Sequence, residues 1–212
     1  MQLYNKIRIL FKNKLLKDSV EGILSNVLQN LFYSIFFIVL VRHFDKSSLG
    51  YYIIGNFLYT TLGSIAALGI GNSFIRNYKN ADDPKSVLID FTQIMFISSL
   101  IFFIINATIS NILYKESAIH SLSLIFGVHI ILDNLIYVIR YYLFGSDKQR
   151  YAYRILVMDA CIKLSLTCYL FFSDPNIIRF LFFTTCFRVL FFIIIWKYYM
   201  KPYSIIEMIS AK

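Results

Sequence analysis

The stretch GILSNVLQNLFYSIFFIVLV, residues 22–41, decides the class of fold. It runs for 20 residues without a charge, which is the length an α-helix needs to cross the hydrocarbon core of a bilayer. Comparable apolar runs recur along the chain and place membrane spans at about 22–41, 50–75, 90–114, 117–140, 151–172 and 177–196. A lipid-exposed backbone must satisfy its own hydrogen bonds, so each run is expected to be helical. The strict alternation of a membrane β-barrel is absent. The expected fold is therefore an all-α integral membrane bundle of six transmembrane helices. A basic interfacial arm (1–18) precedes the membrane lobe (19–200), and a cytoplasmic tail or linker (201–212) follows it.

Composition agrees. The 212 residues are 58% hydrophobic and only 16% charged, where a soluble domain carries about 25% charged residues. Pro84, Pro175 and Pro202 fall between apolar runs, where proline punctuates loops. Cys161, Cys168 and Cys186 have no metal-type spacing and read as small packing residues.

The net charge of +9 is not spread evenly. Lys and Arg number five in the N-terminal arm, then two, three, one, four, one and three in successive loops and the tail. One side of the membrane thus collects fifteen and the other four. By the positive-inside rule both termini are cytoplasmic, an N-in/C-in topology. The same asymmetry accounts for the basic balance without nucleic acid, since no basic, aromatic-interleaved face lies outside the spans. Within the arm, Leu3, Ile7, Leu10 and Phe11 are spaced to lie on a membrane surface, with lysines toward anionic lipid headgroups.

With short loops, activity must reside among the helices. Asn26, Asn30 and Ser34 recur every four residues on the first span, with Ser25 and Gln29 beside them. Such a stripe turns away from lipid, either to hydrogen-bond another helix or to wall a hydrated cavity. On the second span Gly63, Ala67 and Gly71 form a small-xxx-small series that predicts a close helix pair, with Asn56, Thr60 and Ser64 alongside.

Ionisable groups inside spans cost about 2.5–3.5 kcal/mol each on insertion scales, which makes them the main functional pointers. Asp133 and Arg140 share a face of the fourth helix, and Arg140 is also placed to snorkel toward the cytoplasmic interface. Asp159 and Lys163 form an i, i+4 pair on the fifth. Arg188 stands in the middle of the sixth with no acid nearby in sequence. Two readings fit these charges. They form a salt-bridge set tying three helices together, or they form a cationic site for an anionic substrate with Asp133 and Asp159 as carboxylates that titrate during transport. Enzyme chemistry finds no support. Asp82 and Asp83 are a lone acidic pair, His43, His120 and His129 do not cluster with carboxylates, and neither a P-loop nor a nucleophile triad is present.

Three segments carry a resemblance. Leu40-Val-Arg-His-Phe-Asp-Lys-Ser-Ser-Leu-Gly-Tyr51 is similar to the first interhelical junction of the oligosaccharide flippases. Ala66-Ala-Leu-Gly-Ile-Gly-Asn-Ser-Phe-Ile-Arg76 resembles the ending of their second helix. Arg140-Tyr-Tyr-Leu-Phe-Gly-Ser-Asp-Lys-Gln-Arg-Tyr-Ala-Tyr153 looks like their cytoplasmic loop between the fourth and fifth helices. The chain thus resembles, over roughly 19–200, the N-terminal lobe of the Wzx-like polysaccharide/O-antigen flippases of the multidrug/oligosaccharidyl-lipid/polysaccharide (MOP) exporter superfamily.

That resemblance implies a transporter of the bacterial inner membrane rather than an enzyme, with no cofactor. Two six-helix lobes would form a V and move an undecaprenyl-diphosphate-linked oligosaccharide between leaflets. It implies a second lobe as partner, either another copy or a separate chain, because the match ends shortly after the sixth span. Arg76 is the basic residue matched by motif. Asn26, Asn30, Lys163 and Arg188 are candidate substrate-binding residues on physical grounds. The chain departs here from the relatives that flip the cell-wall precursor, which place arginines in the first helix, whereas this one offers Asn26 and Asn30. Two alternatives remain open, a non-transporting membrane assembly protein and a drug or ion exporter lobe of the same superfamily. Lys163 and Arg188 facing a hydrated cavity would favour transport, whereas burial of both in salt bridges would favour assembly.

Overall fold

The structure is a computed structural model describing residues 14–67, 69–171, 176–201 and 203–210. Most of the expected basic arm, with Leu3, Ile7, Leu10 and Phe11, lies outside the described residues, as do Pro175 and Pro202. The described elements are helices: α1 (Lys14–His43), α2 (Lys46–Ala66), α3 (Gly71–Asn80), α4 (Pro84–Leu113), α5 (Ser117–Gly145), α6 (Gln149–Leu166), α7 (Ile177–Tyr199) and α8 (Ile205–Ser210). A 3₁₀ turn over Thr167–Phe171 follows α6.

Among the described residues, five helical stretches are long and apolar enough to cross a membrane: Asp18–His43, Lys46–Asn80, Pro84–Leu113, Ser117–Gly145 and Ile177–Tyr199. The sixth expected span, 151–172, falls on α6 and its 3₁₀ turn, where Arg150, Arg154, Asp159 and Lys163 lower the apolar character. The second expected span, 50–75, is interrupted. After Ala66 the helix stops, Gly69 takes φ +62°, and a new helix begins at Gly71. A left-handed backbone is the conformation glycine adopts at no steric cost.

This break corrects the expected small-residue face. Gly63 and Gly71 belong to different helices and serve different ends. No atom lies within 4 Å of where a Cβ on Gly63 would sit, so that position is open rather than close-packed. A Cβ on Gly71 would strike the ring of Tyr141. The tight approach on α2 is instead at Gly55, where a Cβ would come within 2.8 Å of the Phe126 ring.

Local sequence accounts for the helix ends. Asp45 caps α2, accepting a hydrogen bond from the Ser48 amide at 3.0 Å. Hydrogen bonds from Ser48, side chain first and backbone second, hold the Asp45 carboxyl below its ordinary range. Because that value is depressed on folding, the cap contributes at neutral pH and its contribution is lost as pH falls through the folded value. Asp83 caps α4 with Pro84 at its first position, and Asn176 caps α7.

α5 is the central helix. Two-thirds (67%) of its apolar window is buried, against 11% for α1. α4, α2 and α7 pack around it, while α1 lies along α6. The apolar interior falls into two main clusters. One gathers Leu88, Met95, Ile139, Leu143, Ile155, Trp196 and Met200. The second gathers Phe36, Leu40, Tyr52, Leu122, Phe126 and Phe180. The expected tail returns to the first cluster. Met208 of α8 is buried there, and the Trp196 indole N–H donates to the Tyr203 carbonyl at 3.1 Å.

Consecutive helices α1 and α2 are joined through Phe44 and Asp45 but lie against different neighbours and scarcely touch. A cleft runs between them. Asn26, Asn30 and Ser34 are exposed on α1, and Thr60 and Ser64 on α2. Ser34, Thr60 and Ser64 satisfy their hydroxyls by donating to their own helix backbone, as at Ser34 Oγ to the Asn30 carbonyl, 2.9 Å.

Candidate functional site

The floor of the cleft is charged. Asp133 of α5, Asp159 of α6 and Arg188 of α7 come together there. Arg188 is 1% exposed. Its Nε donates to Asp159 Oδ1 at 2.9 Å and its Nη2 reaches Asp159 Oδ2 at 3.4 Å. The same Nη2 donates to Asp133 Oδ1. A single guanidinium thus joins two carboxylates from two helices, which its planar fork suits and a lysine would not.

Lys163 completes the set. Its Nζ lies 3.1 Å from Asp159 Oδ2, one turn away on α6, and donates to the Tyr33 hydroxyl at 3.0 Å. The ammonium also sits over the Tyr33 ring, 4.7 Å from the centroid. Tyr33 donates to Asp159 Oδ2 at 3.2 Å and accepts from Gln29 Nε2 at 3.3 Å. On the opposite wall, the Tyr59 hydroxyl donates to Asp133 Oδ2. Two carboxylates, two cations and two phenols from five helices therefore make a charge-balanced network. Pairing is what allows it to be buried, because an isolated ion carries a desolvation penalty of several kcal/mol.

The two acids differ. Asp159 takes hydrogen bonds from Arg188, Lys163 and Tyr33, and its side chain is 11% exposed. Asp133 takes them from Arg188 and Tyr59, and its side chain is 37% exposed. Asp133 is the more exposed of the two acids.

Two cavities meet at this floor, sharing Tyr33, Tyr59, Thr60 and Lys163. One, of about 300 Å³, is lined largely by aromatic rings, with Asn56 and His129 among them. His129 Nε2 lies 2.7 Å from Thr185 Oγ1. The other, of about 340 Å³, holds all four charges of the network and, in addition, Asn134 and Arg140. Arg140 does not pair with Asp133. Seven residues put them about 10.5 Å apart along the helix axis, and Asp133 turns to Arg188 instead. Among the described residues no carboxylate pairs with Arg140, and its buried Nε has no hydrogen-bond partner. Asn134 Nδ2 and Arg188 Nη1, on the same lining, are also buried without an acceptor. The cavity walls thus offer donors in excess and one positive charge more than they carry negative.

The other expected site residues lie elsewhere. Arg76 is exposed on α3 and lines neither cavity. Asn26 and Asn30 are exposed on α1 and line neither cavity. Tyr33 and Tyr59 were not legible as site residues, since tyrosine is frequent in this chain (16 of 212). The i, i+4 spacing of Gln29 and Tyr33, offset from the exposed stripe, was the available signal. Among the described residues no group of His, Cys, Asp and Glu has the geometry to hold a metal. Compared with known proteins, the chain matches no family model, no curated protein and no solved structure.

Proposed function

We propose that this chain is a membrane transport lobe that accepts the phosphate-bearing head of a lipid-linked oligosaccharide. The observation that carries the proposal is Arg140, a cation without an acid partner, facing a cavity of about 340 Å³ among span-length helices. A buried cation attracts an anion strongly where water is scarce. The surplus positive charge disfavours a carrier of cationic drugs, the exporter alternative. Lys163 and Arg188 are paired, as the assembly alternative requires, yet both also line the cavity, which that alternative leaves without a use.

In this reading α6 crosses the membrane as a sixth span, its charges shielded by α1, α5 and α7, and both termini are cytoplasmic by the positive-inside rule. The exposed amide of Asn30 supports a second six-helix lobe, because lipid tails offer it no hydrogen-bond partner, whereas Thr60 and Ser64 satisfy their hydroxyls within α2. Parallel repeats related by an axis along the membrane normal are a known way to build such carriers. A fluorescent prenyl-diphosphate glycan reconstituted in liposomes tests the proposal. The chain alone is expected to be inactive and a two-lobe assembly active, with Arg140→Gln lowering transport at least about tenfold, the equivalent of one lost charge-assisted hydrogen bond. Robust translocation by the chain with no dimer detectable, or full activity in Arg140→Gln, would overturn it.

A further inference from the structure

We infer that the aromatic cavity is a sugar subsite, which seats a neutral hexose ring of the head group whose phosphate lies at Arg140. The inference rests on the phosphate reading above, and adds to it the place of the glycan.

The two cavities follow one another along the helices. Phe36 and Phe37 of α1 and Tyr52 and Asn56 of α2 line the aromatic cavity toward the junction of these helices at Phe44 and Asp45. Gln29 of α1 and Ser64 of α2 line the charged cavity farther from that junction. α5 and α7 repeat the order, with Phe126 before Asp133 and Arg140, and Thr184 before Arg188. From His129 in one cavity to Arg140 in the other, α5 rises about 16 Å. Tyr33, Tyr59, Thr60 and Lys163 border both and form the neck between them. An extended head group anchored by phosphate at one end thus reaches aromatic rings at the other.

The chemistry of the walls selects the occupant. Phe36 stacks on Phe180 with centroids 6.1 Å apart, and Tyr59 stacks on Phe126 at 5.5 Å, so rings on both walls are held by a second ring. Phe37 lines the same cavity and is 42% exposed. An aromatic face is electron-rich, and the C–H face of a pyranose ring carries the opposite partial charge, so the two stack. Rings alone would suit any apolar group, and two polar groups decide against one. Tyr52 is only 7% exposed, and Asn56 stands one turn along α2. Among the described residues neither the Tyr52 hydroxyl nor the Asn56 side-chain amide makes a hydrogen bond, and both residues line the cavity. A prenyl chain would bury both groups unpaired, which costs more than leaving them in water. Hexose hydroxyls donate and accept, as a phenol and an amide require. An acidic sugar is less well suited, because Lys163 at the neck is already paired with Asp159. A volume of about 300 Å³ lies at the lower end of small-molecule sites, which suits a single ring rather than a whole oligosaccharide.

The test is equilibrium binding to the chain in lipid nanodiscs of two probes matched in charge. One is a short-prenyl diphosphate esterified to methanol, and the other is the same diphosphate esterified to a linear trisaccharide of neutral hexoses. Wild type is expected to bind the sugar-bearing probe at least about tenfold more tightly, the equivalent of about 1.4 kcal/mol. Tyr52→Phe, which removes one oxygen, and Asn56→Leu are each expected to lower that ratio about threefold or more, within the usual net worth of one hydrogen bond. Arg140→Gln is expected to weaken both probes and keep the ratio. Equal affinity of wild type for the two probes, or an unchanged ratio in both Tyr52→Phe and Asn56→Leu, overturns the sugar site and leaves the phosphate reading standing. The free trisaccharide, titrated at millimolar concentration, separates the two failures. Its binding to wild type and loss in Tyr52→Phe, with neither diphosphate bound, would keep the sugar site and remove the phosphate reading. Absence of binding by all three probes removes both. The wild-type ratio needs no variant, so a fold defect in Tyr52→Phe or Asn56→Leu does not shelter the proposal.

Discussion

Arg188 donates from Nε and Nη2 to carboxylates on two different helices, and Lys163 stands on the second of them. Balance among these charges is therefore what stability should follow. Arg188→Ala leaves the enclosed Asp159 with Lys163 alone and the half-exposed Asp133 with no cation, and breaking a buried pair such as Arg188 and Asp159 costs about 3–5 kcal/mol. A sharper measure separates charge balance from simple contact loss. Asp159→Asn alone leaves Lys163 and Arg188 with one carboxylate between them, whereas Asp159→Asn with Lys163→Gln restores neutrality. Thermal or denaturant unfolding in detergent is expected to find the double variant more stable than Asp159→Asn alone, with an interaction energy within the 0.5–3 kcal/mol typical of contacting pairs. Additive losses would mean that the network is held by packing and not by charge. At this scale the sequence was legible only in part. Asp159 and Lys163 were readable as a pair because i, i+4 contacts are set by helix geometry alone. The partners of Arg188, 29 and 55 residues away in the chain, were legible only as one of two readings, the salt-bridge set tying three helices together, which is the pairing found. Arg140 looked paired or snorkelling when it has neither acid nor hydrogen-bond acceptor at Nε.

α6 is the element on which the topology turns. Its 18 residues reach about 27 Å at 1.5 Å each, and the five-residue 3₁₀ turn adds about 10 Å. That is enough for a crossing, but composition alone does not identify one. Span-finding by apolarity fails here for a physical reason. Asp159 and Lys163 are neutralised by each other and by partners on α1 and α7, which no window along one helix can register. The break after α2 escaped notice for a related reason, since an uncharged run is continuous in hydropathy whether or not Gly69 turns left-handed within it. A crossing by α6 places Ser146, at the end of α5, and Asn176, at the start of α7, on opposite sides of the membrane. Single cysteines at these positions, in a background without Cys161, Cys168 and Cys186, are expected to react with a membrane-impermeant thiol reagent from opposite faces of sealed vesicles. Labelling of both from one face would make α6 a re-entrant element, and the chain a five-span protein.

Across the whole molecule, lipid-facing and water-facing surfaces should be separable without reference to any cargo. Leu31 on α1 and Ile104 on α4 are well exposed and apolar, as a lipid contact requires. Thr60 and Ser64 are exposed on α2 and line the cavity that holds the four charges of the network, and Asn30 is exposed on α1 next to Gln29, which lines it from the other side. Burying that floor in hydrocarbon would strip water from Asp133, whose side chain remains 37% exposed, at the several kcal/mol that an intramembrane charge costs. Either water fills the cleft or a polar surface from a second lobe covers it, and both differ from lipid in one measurable respect. Cysteines at Asn30 and Ser64 are expected to react with a small charged thiosulfonate at least about tenfold faster than cysteines at Leu31 and Ile104, because the reactive thiolate forms in water and hardly at all in an apolar medium. Expression of a partner lobe should slow the first pair and leave the second unchanged. Equal, slow labelling at all four positions would mean that lipid fills the cleft, and the transport reading would lose the hydrated path it needs.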